Sequence, residues 1–237
     1  MTGADDSIDP QDLIALTRKY PFVEWGILMS KSSEGGSRFP SANWLRRLVD
    51  AFGPTSEAGN IGVNKFCAHL CGRWVRDLMI GDSTPLGIHG HILDSTLFHR
   101  VQLNFHASRH QVNDSAFKVL FRIGKQIIFQ MDEVNEELMW KARDKAVDAV
   151  PLFDTSGGAG IVPKDWPKPF DEVFCGYAGG LGPDNISKEL LRIQDAVGDA
   201  TIWIDMETKI RSSNDQMFDL KKVEECLHAA SVHINES

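Results

Sequence analysis

The 237-residue chain has few cysteines, no long apolar run and no surplus of positive charge. Its four cysteines, Cys67, Cys71, Cys175 and Cys226, follow no framework spacing. A chain of this length builds a core without covalent staples, so they read as reduced thiols. No apolar stretch reaches the ~20 residues of a membrane-spanning helix. The N-terminus, MTGADDSIDP, has neither the basic nor the apolar region of a signal peptide. The expectation is a soluble, cytoplasmic protein with no membrane partner. Acidic residues outnumber basic ones, 33 to 25, for a formal net charge of -8. No Lys/Arg cluster alternates with aromatics, which argues against a nucleic-acid surface. An anionic ligand would then be held by local geometry rather than by net charge.

What is present is a large apolar fraction, 42%, beside 24% charged residues, which predicts one domain over 1–237 with a substantial core. Asp9-Pro10 opens a helix, with Leu13, Ile14, Leu16, Thr17 and Tyr20 on one face. Residues 22–30, FVEWGILMS, are nearly continuous in apolar character, as in a strand buried on both faces of a parallel sheet. Ser41 caps a second helix bearing Trp44, Leu45, Leu48, Val49 and Phe52. Further strands are expected at 63–70, 100–106, 125–131, 147–154, 173–178 and 201–206, and helices at 73–79, 132–145, from Ile186 to Val197, and at 219–229. In the helix at 132–145, Val134, Leu138 and Met139 face inward; in the next, Ile186, Leu190, Leu191, Ile193 and Val197 do so. Residues 80–98 have no readable pattern, and the segment between the strands at 100–106 and 125–131 is only weakly patterned. Strands separated by helical patterns indicate βαβ units and a parallel sheet. The count gives seven strands, and an eighth can come only from the first few residues.

The stretch VFCGYAGGLGPDNI, residues 173–186, breaks from strand to helix at Gly179 and Gly180. Two glycines admit a ligand close to the backbone, and the helix behind them offers free N–H groups and a positive dipole end. It is either a phosphate cradle or a tight turn that binds nothing. AGGLGPDN in this stretch is similar to the Ala-Gly-Gly-Leu-Asn-Pro-Glu-Asn of phosphoribosylanthranilate isomerases. LFDTSGGAG with Trp166, VQLN at 101–104 and SRFPS at 37–41 resemble three further segments of that family, in the family's order. The chain thus resembles a divergent phosphoribosylanthranilate isomerase, and the resemblance implies a (β/α)8 TIM barrel. The family's first strand falls on Met1-Thr2-Gly3, a stub. Either the true start lies upstream, or the first stave is short and the barrel closes poorly there. Direct pairing of 22–30 with 201–206 in a closed sheet would contradict this.

In such barrels the site lies at the C-terminal ends of the strands, with phosphate held by the last loops. The resemblance implies an isomerase-type, general acid/base opening of a small phosphorylated sugar derivative, of the aldose-ketose class or a related lyase, with no cofactor. Asp154 matches the family's acid, and the alternative is a loop-capping aspartate. The family's catalytic cysteine falls on Thr2, whose hydroxyl titrates too high to be a base unaided. After Asp205 the chain has Met206-Glu207-Thr208-Lys209 in place of the family's Ser-Ser-Gly. Glu207 there repels a phosphate unless Lys209 or Arg211 neutralises it. By strand alternation, Asp154, Asp205, Glu207, Gln130 and His106 face the mouth, and Asn104 shares the face of Gln102. Asp154 and Asp205 are the candidate catalytic pair. Arg38, Asn104, Gln130 and Glu207 are candidate substrate-binding residues, and Gly157, Gly158, Gly179 and Gly180 candidate phosphate-binding ones. Arg38 matches the family's loop arginine, which meets a ring carboxylate; the alternative is a solvated arginine. No metal site is expected: same-side residues of Cys67-x-His69-x-Cys71 lie ~7 Å apart on a strand, and His89-Gly90-His91 sits at no clear strand end. The expected partner is a small anionic ligand or sugar phosphate, bound by a monomer or homodimer. The alternative is a binding barrel that has lost the base and part of the phosphate site.

Overall fold

In the computed structural model, which describes all residues except 54–60, 62–63, 88–95, 155–158 and 235–237, seven strands form one parallel sheet in sequential order. The strands are β1 (Trp25–Met29), β2 (Phe66–Cys71), β3 (Phe98–Asn104), β4 (Gln126–Gln130), β5 (Ala149–Asp154), β6 (Cys175–Ala178) and β7 (Ile202–Asp205). The helices are α1 (Pro10–Lys19), α2 (Ala42–Phe52), α3 (Arg73–Met79), α4 (Ser115–Ile123), α5 (Glu133–Asp144), α6 (Ile186–Val197) and α7 (Leu220–Ala230). All five residues of β1 are buried, as its unbroken apolar run requires of a strand covered on both faces. The sheet curls into a (β/α)8 barrel whose eighth stave is the stub at residues 1–3.

Thr2 bridges Gly26 of β1, and its N–H donates to the Met206 carbonyl beyond β7 at 2.8 Å. On the other side Gly26 N–H donates to Met1 O (2.9 Å) and Gly3 N–H to Gly26 O (3.1 Å). The stub therefore lies between the first and last long strands, and these do not pair directly. So few ladder bonds are a weak closure, and side chains reinforce it. Arg211, fully buried, donates through Nη1 to Gly3 O, through Nη2 to Asp5 Oδ2 (2.7 Å) and through Nε to Asp215 Oδ1 (2.6 Å). Charge-assisted bonds from one planar guanidinium thus tie the stub to the loop after β7.

Capping follows the residues expected. The Asp9 side chain accepts from Gln11 N–H at the start of α1, and Ser41 accepts from Trp44 N–H at the start of α2. The weakly patterned segment after β3 contains α4, which has no side-chain cap bond and ends at Gly124 in the left-handed conformation. Two inward assignments need correction. Leu191 is exposed because the buried stripe of α6 runs Ile186, Glu189, Leu190, Ile193, one residue off Leu191. Glu189 sits in that stripe because its carboxylate accepts from Trp166 Nε1 (3.1 Å) and Arg192 Nη1 (2.6 Å). Val134 is likewise exposed. The adjacent Asn135 is fully buried instead, its side chain bonding the carbonyls of Phe105 and Gln130 and the Ala107 N–H.

Two apolar clusters result. The larger packs the outward faces of the strands against the helices. The smaller, Cys67, Ile128, Val150, Leu152 and Ala178 with Trp203 against it, fills the inside of the barrel. Inside, the missing Cβ of Gly26 makes room for the Thr2 hydroxyl and the His69 imidazole.

Candidate functional site

The C-terminal ends of the strands bring together most of the polar residues singled out in the sequence. Asp154 ends β5 and pairs in register with Ala178, which pairs with Asp205 at the end of β7. The two aspartates are thus one strand apart on either side of β6, their Cα atoms separated by ~10 Å. They line one small cleft of about 50 Å³ with Gly179, Gly180, Glu207 and Lys209. Asp154 is 9% exposed, and its Oδ2 accepts from Gln130 Nε2 at 2.9 Å. Asp205 Oδ1 accepts from the Thr2 hydroxyl at 2.6 Å, a bond between residues 203 apart in the chain. Further along the rim, Gln102 Nε2 donates to Asn104 Oδ1 (2.8 Å), and Asn104 Nδ2 approaches Cys71 Sγ at 3.3 Å. Burial pushes the Cys71 thiol up to about 12, so it is no thiolate nucleophile.

Arg38 and Glu207 form an ion pair between the loop after β1 and the end of β7. Burial pushes the Glu207 carboxyl up from its ordinary range, and the Arg38 charge opposes that shift. Arg38 also meets Asp215 Oδ2 at 2.7 Å. Its backbone is left-handed, φ 62°, held by a 2.6 Å bond from its N–H to Asp5 Oδ2. Such strain in a non-glycine residue persists only where the surroundings enforce it. The neutralising partner of Glu207 is therefore Arg38. Arg211 is committed to Asp5, Asp215 and Gly3, and Lys209 lines the cleft. His106, just past the C-terminal end of β3, does not line that cleft: its Nδ1 sits 2.9 Å from Asp132 Oδ2, just past the end of β4, and Asp132 caps α5 through the N–H groups of Val134 and Asn135.

Gly179 (φ 127°) and Gly180 (φ 62°) have backbone conformations that favour glycine. The space a Cβ would take is filled by the chain itself: Ile161 O lies 2.9 Å from that position at Gly179, and Gly160 O and Val162 N lie 2.7 Å away at Gly180. Asn185 closes the turn from below, accepting from Gly182 N–H and donating to Gly180 O, both at 2.9 Å. Gly157 and Gly158 lie outside the described residues, as do His89 and His91. Among the described residues no group of three His, Cys, Asp or Glu side chains is disposed to hold a metal ion. No helix among them is long and apolar enough to cross a membrane.

No protein-family model matches the chain, and no curated protein matches it. Solved structures do. Two crystal structures of phosphoribosylanthranilate isomerase from Thermotoga maritima are similar at TM-scores of 0.57 and 0.54, with 13% and 14% identity, each over 98% of this chain and 97% and 99% of theirs. The fold is that of a divergent phosphoribosylanthranilate isomerase-like barrel. A 3-hexulose-6-phosphate synthase from Salmonella typhimurium is also similar, with a TM-score of 0.50 and 13% identity over 98% of both chains. At these identities the likeness concerns architecture alone.

Sequence reasoning missed the bond between Thr2 and Asp205 and the stacking of Arg100 on Trp203, whose ring centroid lies 4.2 Å from the guanidinium carbon. The one signal for the second was an arginine on the same strand face as Gln102 and Asn104.

Proposed function

We propose that this barrel is an enzyme acting on a small, phosphorylated sugar derivative by general acid/base, isomerase-type chemistry, with no cofactor. The observation that carries it is the pairing of Asp154 and Asp205 across β6 around one cleft at the strand ends. Opening a ribosylamine needs a proton delivered to the ring oxygen and a proton removed from the neighbouring carbon. Asp154, steadied by Gln130, is the acid. Asp205 is the base: it is hydrogen-bonded to Thr2, the position that carries the family's catalytic cysteine in the resemblance. Asn104, Gln130, Glu207 and Arg38 line the substrate's polar groups. Gly179 and Gly180, with Gly157 and Gly158, hold its phosphate once the 160–162 backbone gives way. The similar solved structures are named for phosphate-bearing sugars, which supports the substrate class. The same occupied space at Gly179 and Gly180 favours a second reading, a barrel that binds a ligand without turning it over.

Incubation with N-(5-phosphoribosyl)anthranilate, followed by fluorescence, tests the first reading. Turnover is expected, reduced by about 10² or more in Asp154→Asn. Stabilisation by sugar phosphates without turnover would establish the second reading. Neither turnover nor stabilisation would overturn both.

A further inference from the structure

The opposite end of the barrel, where the strands begin, carries a second site. Arg100 is 4% exposed, and its Nη1 meets Glu24 Oε1 and Oε2 at 3.2 and 3.3 Å. Its other edge, Nε with Nη2, is buried and has no hydrogen-bond partner among the described residues. Two parallel donors of a buried cation left unpaired carry a desolvation cost that native structures rarely leave standing. The guanidinium lies between aromatic faces, 4.2 Å from the Trp203 ring centroid and 5.6 Å from that of Phe174. The Trp203 indole N–H and His99 Nδ1 are likewise buried with no partner among the described residues. Arg100, His99, Lys125 and Phe174 line a groove of about 650 Å³ at this face, and Phe174 is 39% exposed.

We propose that this groove binds a small organic carboxylate, which displaces the side chains covering the Nε and Nη2 edge of Arg100 and pairs with that edge through both oxygens. That edge matches a planar, two-oxygen anion. The aromatic walls suit an apolar or aromatic body on the carboxylate. Glu24 and Asp148 also line the groove, so a dianion such as phosphate is repelled more than a monoanion. Burial pushes Glu24 up, but the hydrogen bond from His99 and the Arg100 charge outweigh it and hold the carboxyl at about 2, so Glu24 is ionised at neutral pH. The site is separate from the cleft of Asp154 and Asp205 and does not rest on the proposed reaction.

The test is thermal unfolding of the full chain with sodium benzoate against sodium chloride at equal ionic strength. A saturable rise in Tm of about 3 °C at ten times Kd is expected for benzoate alone. Arg100→Lys keeps the charge but removes the fork, and should abolish the rise. Should Arg100→Lys fail to fold, Phe174→Ala replaces it, with benzoate affinity expected to fall about tenfold. A crystal soaked with 4-bromobenzoate should place carboxylate oxygens within hydrogen-bond distance of Nε and Nη2, with the bromine located by anomalous scattering. No benzoate-specific shift, a shift retained in Arg100→Lys, an equal response to inorganic phosphate that Arg100→Lys removes, or water alone on the Arg100 edge would overturn the proposal. A phosphate response that survives Arg100→Lys comes from the other end of the barrel and leaves a positive benzoate result standing.

Discussion

The outside and the inside of this barrel are built on different terms. Between strands and helices the core is almost wholly apolar, with rings such as Phe66 packed edge-on against Phe52 (4.8 Å) and Phe98 (6.3 Å). Inside, the apolar cluster is small, and polar groups crowd it: His69, Gln102, Arg100 and Trp203 each bury an atom with no partner among the described residues. Stability therefore comes from the outer shell, where burial of apolar area is repeated along every strand. The interior accepts costs that a purely structural core does not, and such concessions concentrate where a protein binds or reacts. The seam at residues 1–3 belongs with neither, because its backbone ladder is short and a buried arginine makes good the deficit.

That contrast can be broken or sharpened by four measurements of stability in denaturant. Arg211→Met leaves Asp5 and Asp215 without their buried partner and loosens the stub, and is expected to cost at the upper end of about 3–5 kcal/mol. A loss under 1 kcal/mol would show that the stub closes the barrel unaided. Phe66→Ala removes a fully buried ring from the outer shell, and should cost about 3–4 kcal/mol.

Acid should weaken the interior next. Burial lowers the His69 pKa from 6.5 to about 4. Between those values the unfolded chain binds a proton that the folded chain does not, so stability rises with pH across the window. It is complete above pH 6.5 and is lost by up to about 3 kcal/mol as pH falls toward 4. Glu24, held at about 2, adds its own loss only below its ordinary value of 4.5. Comparison of unfolding at pH 7 and pH 5 checks this, and His69→Leu should flatten the difference. At pH 7 the same His69→Leu change should alter stability by less than about 1 kcal/mol, since it removes a buried nitrogen that has no partner among the described residues. A loss as large as that of Phe66→Ala would erase the distinction between the two cores.

The architecture was legible because it rests on local signals. The seven strands were placed to within a few residues, the nearly continuous apolar run at 22–30 most plainly, and Asp9 and Ser41 announced their helices by capping chemistry. The helix α4 was not legible, being nine residues long with no side-chain cap bond to mark its start. Val134 and Leu191 were misplaced because apolar character alone does not say which neighbour takes the buried stripe. Asn135 and Glu189 take it through hydrogen bonds that only the folded chain supplies. The site was legible residue by residue, but not in its pairings. Glu207 was seen to need a cation, yet Arg38, 169 residues away, could be matched to it only once the barrel brought the two loops together. Thr2 with Asp205, and Arg211 with Asp5, were hidden for the same reason.

In the proposed reaction Asp154 and Asp205 work as one acid/base pair across β6. The direct measurement is kcat/KM on N-(5-phosphoribosyl)anthranilate for Asp154→Asn, Asp205→Asn and the double variant, with unfolding curves confirming that each folds. Residues that act as a unit are strongly non-additive, so a loss of about 10² or more is expected for each single change and little further loss in the double. Full activity in either folded single variant, or losses that multiply in the double, would contradict it.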